Sequence, residues 1–121
     1  MDDYAAAAEL FQGFPEGAAI LHAVQEAVST LSETTMKVTK SQVAFRRRRG
    51  FAYVWRPGQY INSDVPAVLS IALPRELRSD RIKEVAHPSP HTWMHHIELR
   101  DATEVDHQIL EWLTKAHENA R

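Results

Sequence analysis

The sequence predicts an α+β domain in two layers. An antiparallel sheet of about five strands is covered by helices from the N-terminal and C-terminal ends of the chain. Two observations carry this. Apolar residues recur with helical period at both ends and with period two through the middle. The connections between most middle segments are too short for parallel crossovers, so the strands pair antiparallel. With 121 residues, 44% of them hydrophobic and 25% charged, the chain fits a single domain over 1–121 with one core of useful size. No repeat or linker divides it.

Residues 3–12 (DYAAAAELFQ) have high helix propensity, and either Asp2 or Asp3 is placed to cap them. Gly13 breaks the run. Pro15 then opens a second helix, expected over 15–31, whose stripe is Ile20, Leu21, Val24, Val28 and Leu31. Met36 and Val38 alternate with Lys37 and Thr39 as a first strand. Val43 and Phe45 alternate with Gln42, Ala44 and Arg46 as a second. A turn at Arg48-Arg49-Gly50 leads to a third, on which simple alternation puts Phe51, Tyr53 and Trp55 on one face. Residues 56–66 read as a loop with Tyr60 and Ile61 tucked back. The run VPAVLSIAL, Val65 to Leu73, fits a central strand covered on both faces. Residues 81–86 are ambiguous between strand and helix turn, and His87-Pro88-Ser89-Pro90 reads as irregular. Trp93, His95, Ile97 and Leu99 share one face of the last strand. Asp101 with Glu104, or Thr103 with Asp106, offers a capping box for a final helix with Val105, Ile109, Trp112, Leu113 and Ala116 inward.

Composition excludes several functions. The chain has no cysteine, hence no disulfide, thiolate metal site or thiol nucleophile, which suits a cytoplasmic location. Neither a secretory signal nor an apolar run of membrane-spanning length is visible. A net charge of −2 gives no overall attraction to nucleic acid, so any such contact would depend on a local patch.

Arg46 to Arg49, with Lys37 and Lys40, is that patch. Arginine forks suit phosphate, and Phe51, Tyr53 and Trp55 would stack bases. The structural alternative is a solvated hairpin turn. Alternation sends successive arginines to opposite faces, which leaves Arg46 and Arg48 as the pair to carry forward. The second candidate is the histidine group around Trp93. His95 and His96 point to opposite faces. His91 and His95 lie about 13 Å apart along a strand, too far for one metal, so no metal site is assigned. Either His95 or His96 would serve proton transfer or ligand binding, or simply fill a half-buried face. A pocket of Tyr53, Trp55 and Trp93, with Arg46 or His95 at its mouth, would take a flat or acidic molecule. Asp101, Glu104 and Asp106 are explained by capping. No phosphate loop or nucleophile motif occurs, so no catalytic residue and no cofactor is assigned.

GFPEGAAILHAV, KVTKSQVAFRRRRGFAYVW, HTWMHHIELR and DHQILEWLTKAHENA together resemble a bacterial family of small stand-alone proteins of unknown function. The chain is also similar to a domain at the C-terminal side of larger bacterial proteins, some labelled predicted transport proteins. The resemblance runs from Phe11 onward. It implies a small α+β fold and supplies no catalytic residues. The leading expectation is a non-catalytic module for an anionic or aromatic ligand or a partner protein, with ligand-binding candidates Arg46, Arg48, Tyr53, Trp55, Trp93, His95 and His96. Two alternatives are an enzyme with a histidine-centred pocket and a homodimer formed through sheet faces or edges.

Overall fold

The computed structural model describes residues 3–121, so Asp2, one of the two expected caps, lies outside them. Helix α1 spans Asp3–Leu10 and α2 Pro15–Ser29. Strands β1 (Thr35–Val38), β2 (Gln42–Arg46) and β3 (Gly50–Trp55) form a meander. A 3-10 turn at Pro57–Gln59 leads to β4 (Ala67–Leu73), then β5 (Glu84–Ser89) and β6 (Thr92–Leu99). A second 3-10 turn, Ala102–Glu104, precedes α3 (His107–Asn119). The sheet is antiparallel throughout with order β1-β2-β3-β4-β6-β5. It therefore has six strands rather than about five.

Helices cover one face. α3 lies on β3 and β4, α2 on β4, and α1 on β1. The core between the layers holds Ile20, Leu21 and Val24 from α2, and Ile109, Trp112 and Leu113 from α3. Val43, Phe45, Val54, Leu69, Ile71, Ile97 and Leu99 meet them from the sheet. The expected stripes thus fall where period predicts. Leu31 lies past the helix end: the Ser29 and Thr30 hydroxyls donate to the carbonyls of Glu26 and Ala27 at 2.6 and 2.7 Å. Such bonds compete with further helix. Gly17 lets α2 approach closely, because a Cβ there would sit 2.6 Å from the Phe11 ring and 2.9 Å from the Pro66 carbonyl.

Of the two expected capping boxes one forms, and it closes the 3-10 turn rather than α3; Thr103 and Asp106 make none, because Asp106 is itself the N-cap of α3. Asp101 and Glu104 make the capping box around the 3-10 turn. Asp106 caps α3 by accepting from the Ile109 N–H at 3.2 Å. Arg81 reaches Asp106 at 2.9 Å and the Glu104 carbonyl at 2.6 Å. Its guanidinium beside Asp106 holds that carboxyl below its ordinary range.

Three expectations are corrected. Residues 87–89 belong to β5. The proline is tolerated because β5 is the outer strand and its register with β6 shifts between Ala86 and Ser89, leaving His87 and Pro88 unpaired. Tyr60 and Ile61 do not tuck back but stand 63% and 65% exposed. The 3-10 turn, closed by Tyr60 N–H to Pro57 carbonyl at 3.0 Å, turns them outward. Finally, Phe51 does not share a face with Tyr53 and Trp55. Phe45 pairs with Ala52 and Arg46 with Gly50, so Phe51 is the extra residue of a bulge. It turns into the core, edge-on to His117 of α3 at 5.5 Å.

Candidate functional site

The face away from the helices is where alternation leaves polar and aromatic side chains. Register places Lys37, Ala44, Tyr53, Ser70, His96 and Glu84 in one row across all six strands. The next row holds Gln42, Trp55, Val68 and Glu98. Large side chains of β3 and β6 lean over small ones of β2 and β4. Ala44, Val68 and Ser70 are consequently buried without touching the main core.

A shallow hollow of about 540 Å³ opens here, lined by Gln42, Tyr53, Trp55, Tyr60, Ser70, Met94 and His96. A hydrogen-bond relay runs through it. The Trp55 Nε1–H donates to Ser70 Oγ at 2.9 Å, and Ser70 Oγ lies 2.7 Å from His96 Nδ1. An indole nitrogen only donates, so the serine oxygen accepts from Trp55; among the described residues the buried Ser70 hydroxyl has no acceptor other than His96 Nδ1, so its proton is assigned there. This assigns Nδ1 as acceptor and puts the imidazole proton on Nε2. Burial pushes His96 below its ordinary 6.5; nearby Glu84 opposes this and His95 adds to it. The ring is thus kept neutral, with Nε2–H as a fixed donor.

Aromatic contacts complete the wall. Trp55 meets His96 edge-on at 6.2 Å and Tyr60 at 6.0 Å. The loop bearing Tyr60 is held by Gln59, whose amide donates to the Ser41 and Arg56 carbonyls, both at 3.0 Å. Tyr53 lies along its own strand over Gly50: a Cβ there would come 2.1 Å from the Tyr53 hydroxyl. The glycine makes room for that ring. Among the described residues, the side chains of Gln42 and Tyr53 and the Nε2 of His96 have no hydrogen-bond partner.

The seven expected site residues separate into four places. Tyr53, Trp55 and His96 line the hollow. Arg46 has the open-face parity of Gln42 and Ala44 and is half-buried. Trp93 and His95 share the opposite, helix-side face, so the expected pocket joining Tyr53, Trp55 and Trp93 does not form. His95 is 1% exposed. Its Nε2 accepts from the Leu77 N–H at 2.8 Å and its Nδ1 donates to the Ile71 carbonyl at 3.3 Å. Nε2 thus pins the segment 74–83, which crosses β6 to reach the sheet edge, while Nδ1 ties the ring to β4. Trp93 stacks under His87 at 3.6 Å.

Arg48 lies in the turn, exposed. That turn is docked on the end of α3: the N–H groups of Arg48 and Arg49 donate to the Ala120 carbonyl at 3.1 and 3.2 Å. Arg47 donates to the His117 carbonyl at 3.4 Å, and Arg49 donates to the Asn119 carbonyl. Guanidinium groups here satisfy helix-end carbonyls and oppose the negative end of the dipole. The arginine run is thus largely accounted for by closure of α3.

Ser70, Gln42, Tyr60 and Met94 escaped sequence reasoning. For Ser70 a signal exists: it is the one hydroxyl inside the apolar run VPAVLSIAL, and a buried hydroxyl needs a partner. A second depression of about 530 Å³ lies between residues 73–77 and the end of α3. Its lining mixes Arg75, Glu76, Lys115 and Glu118 with Leu73, Pro74 and Leu77 and has no aromatic, so the open-face hollow is the better-built site. Among the described residues no three His, Asp or Glu side chains converge as a metal cluster, and no helix is long and apolar enough to cross a membrane.

No curated protein and no solved structure matches the chain. A family model described as a domain of unknown function, DUF5655, matches residues 7–120. The open-face hollow, with its relay of Trp55, Ser70 and His96, therefore lies within a chain that belongs to the DUF5655 family.

Proposed function

We propose that the protein is a non-catalytic binding module that holds a small planar molecule in the open-face hollow. The observation that carries this is the relay from Trp55 through Ser70 to His96. It locks two walls of an aromatic hollow in place and leaves one fixed donor, Nε2–H, without a partner. Pre-set aromatic walls with a few placed polar groups are what small-ligand sites offer.

The histidine-centred enzyme has less support. His95 spends both nitrogens on backbone. Ser70, although bonded to His96, is 3% exposed and its oxygen already accepts from Trp55, which weakens it as a nucleophile. Nucleic acid has less support too, because Arg47 and Arg49 spend their guanidinium groups on the end of α3, which leaves only Arg46 and Arg48 of the run for a phosphate path. A homodimer through edges would have to use the short strand β1, since the other outer strand, β5, is interrupted at Pro88. On the leading reading the domain works in the bacterial cytoplasm, alone or joined to a larger protein as in the resemblance to predicted transport proteins, and supplies ligand recognition there.

The test is amide-resolved NMR of ¹⁵N-labelled protein with a library of planar fragments. Binders should shift the Trp55 indole resonance and the Ser70 and His96 amides together. Shifts confined to residues 73–77 and 115–119 would place binding in the other depression and overturn the proposal.

A further inference from the structure

The ligand's chemical class can be narrowed, an inference that rests on the binding reading above. The lining contains no lysine, arginine, aspartate or glutamate; of the two arginines expected to attract an anion, Arg48 lies in the exposed turn, and Arg46, though on the open face, stands opposite Gly50 outside the lining. The row through the hollow ends in Lys37 on one side and Glu84 on the other, so it favours neither sign of charge. A carboxylate would lose water here without gaining a cation.

What the hollow offers instead is unmet neutral hydrogen bonding. The Gln42 carboxamide presents both donor and acceptor, and its side chain bonds to no described residue. His96 presents Nε2–H, with the opposite nitrogen held by Ser70. Trp55, Tyr60 and Met94 supply apolar and polarisable surface beside them. We propose that the site takes a neutral planar heterocycle whose edge carries an amide or lactam, with Gln42 pairing to the donor–acceptor edge and His96 donating to a carbonyl oxygen. A nucleobase or a carboxamide-bearing ring has that chemistry.

Nicotinamide and nicotinate form a matched pair, alike in shape and different in charge, with hypoxanthine as a second lactam. Binding is measured on the whole chain by NMR titration at pH 7.5, following the Trp55 indole. Nicotinamide and hypoxanthine should bind on the order of tenfold tighter than nicotinate. Gln42→Met, which keeps the side-chain length, and His96→Phe should each remove most of that preference; either serves if the other does not fold. Equal or tighter binding of nicotinate, still shifting Trp55, overturns the neutral-heterocycle assignment and leaves the hollow as the site. A preference that survives in both variants overturns the assigned contacts. If none of the three probes moves the Trp55 indole, while probes shift residues elsewhere or nowhere, the assignment fails, and in the former case the hollow fails with it.

Discussion

Replacing Ser70 by alanine removes the centre of the relay and little else. The residue is 3% exposed, and its oxygen joins the Trp55 Nε1–H at 2.9 Å to His96 Nδ1 at 2.7 Å. Two neutral hydrogen bonds contribute about 0.5–1.5 kcal/mol each. Trp55 and His96 are only half-buried, so water recovers part of the loss, and roughly 1.5 kcal/mol of destabilisation is expected. At about 2.1 cal/mol/K per residue, a chain of 121 residues should then melt roughly 6 °C lower. Urea unfolding followed by circular dichroism measures the first quantity, with an unchanged denaturant slope as the check on two-state behaviour. Trp55→Phe removes the donor while keeping an aromatic ring. Its double-mutant cycle with Ser70→Ala should return a coupling of about 0.5–1 kcal/mol. Coupling near zero, with Ser70→Ala costing under about 0.5 kcal/mol, would show that the relay does not hold the site together.

Other expectations follow from the same geometry. Burial lowers the folded-state pKa of His96 below 6.5, so between that value and 6.5 the unfolded chain binds the extra proton; stability should rise with pH across this window and level off above it. His96→Gln should remove that share of the rise in urea curves taken over about pH 5 to 8. Gly17→Ala gains about 1 kcal/mol of helix propensity, but its Cβ would meet Phe11 at 2.6 Å and the Pro66 carbonyl at 2.9 Å. Overpacking of about 1–3 kcal/mol should win, and thermal melts should show net destabilisation. Arg47→Ala with Arg49→Ala should cost about 1–2 kcal/mol by releasing the α3 terminus, whereas Arg48→Ala stays within about 0.5 kcal/mol. Asp106→Ala should cost about 1 kcal/mol as a lost N-cap, read in the same melts.

Much of the architecture was legible because the periodic signals were strong. The α2 and α3 stripes, the alternation of β6 and the Asp101–Glu104 box each follow from one local rule. The opposite placement of His95 and His96 did too. Three features were hidden because they depend on a partner strand or a distant element. Phe51 leaves the parity of Tyr53 and Trp55 only because β2 and β3 are out of step by one residue. Pro88 stays within a strand only because that strand is outermost. The arginine run looked like a ligand patch because its α3 carbonyls lie some seventy residues along the chain. Trp93 was legible as a neighbour of His95, but not as lying across the sheet from Trp55, since strand order was open. Ser70 is the instructive omission. A lone hydroxyl in an apolar strand asks for a partner, and the two it found are on β3 and β6.

The bulge at Phe51 also bears on which insertions and deletions this family's members can accept. Residues 47–49 can change in number without disturbing the register so long as Ala52 still meets Phe45, although the contacts that dock this turn on α3 would be lost. Losing the bulged residue is different if the loop takes up none of the change. β3 would either keep its pairing and drop Phe51 from the core, or slide by one and exchange its two faces, sending Tyr53 and Trp55 inward and Ala52 and Val54 out. The hairpin's length thus acts as a reading frame for the hollow. A relative lacking that residue should keep the fold only with a compensating large side chain elsewhere against α3, and its open face would have to be read afresh.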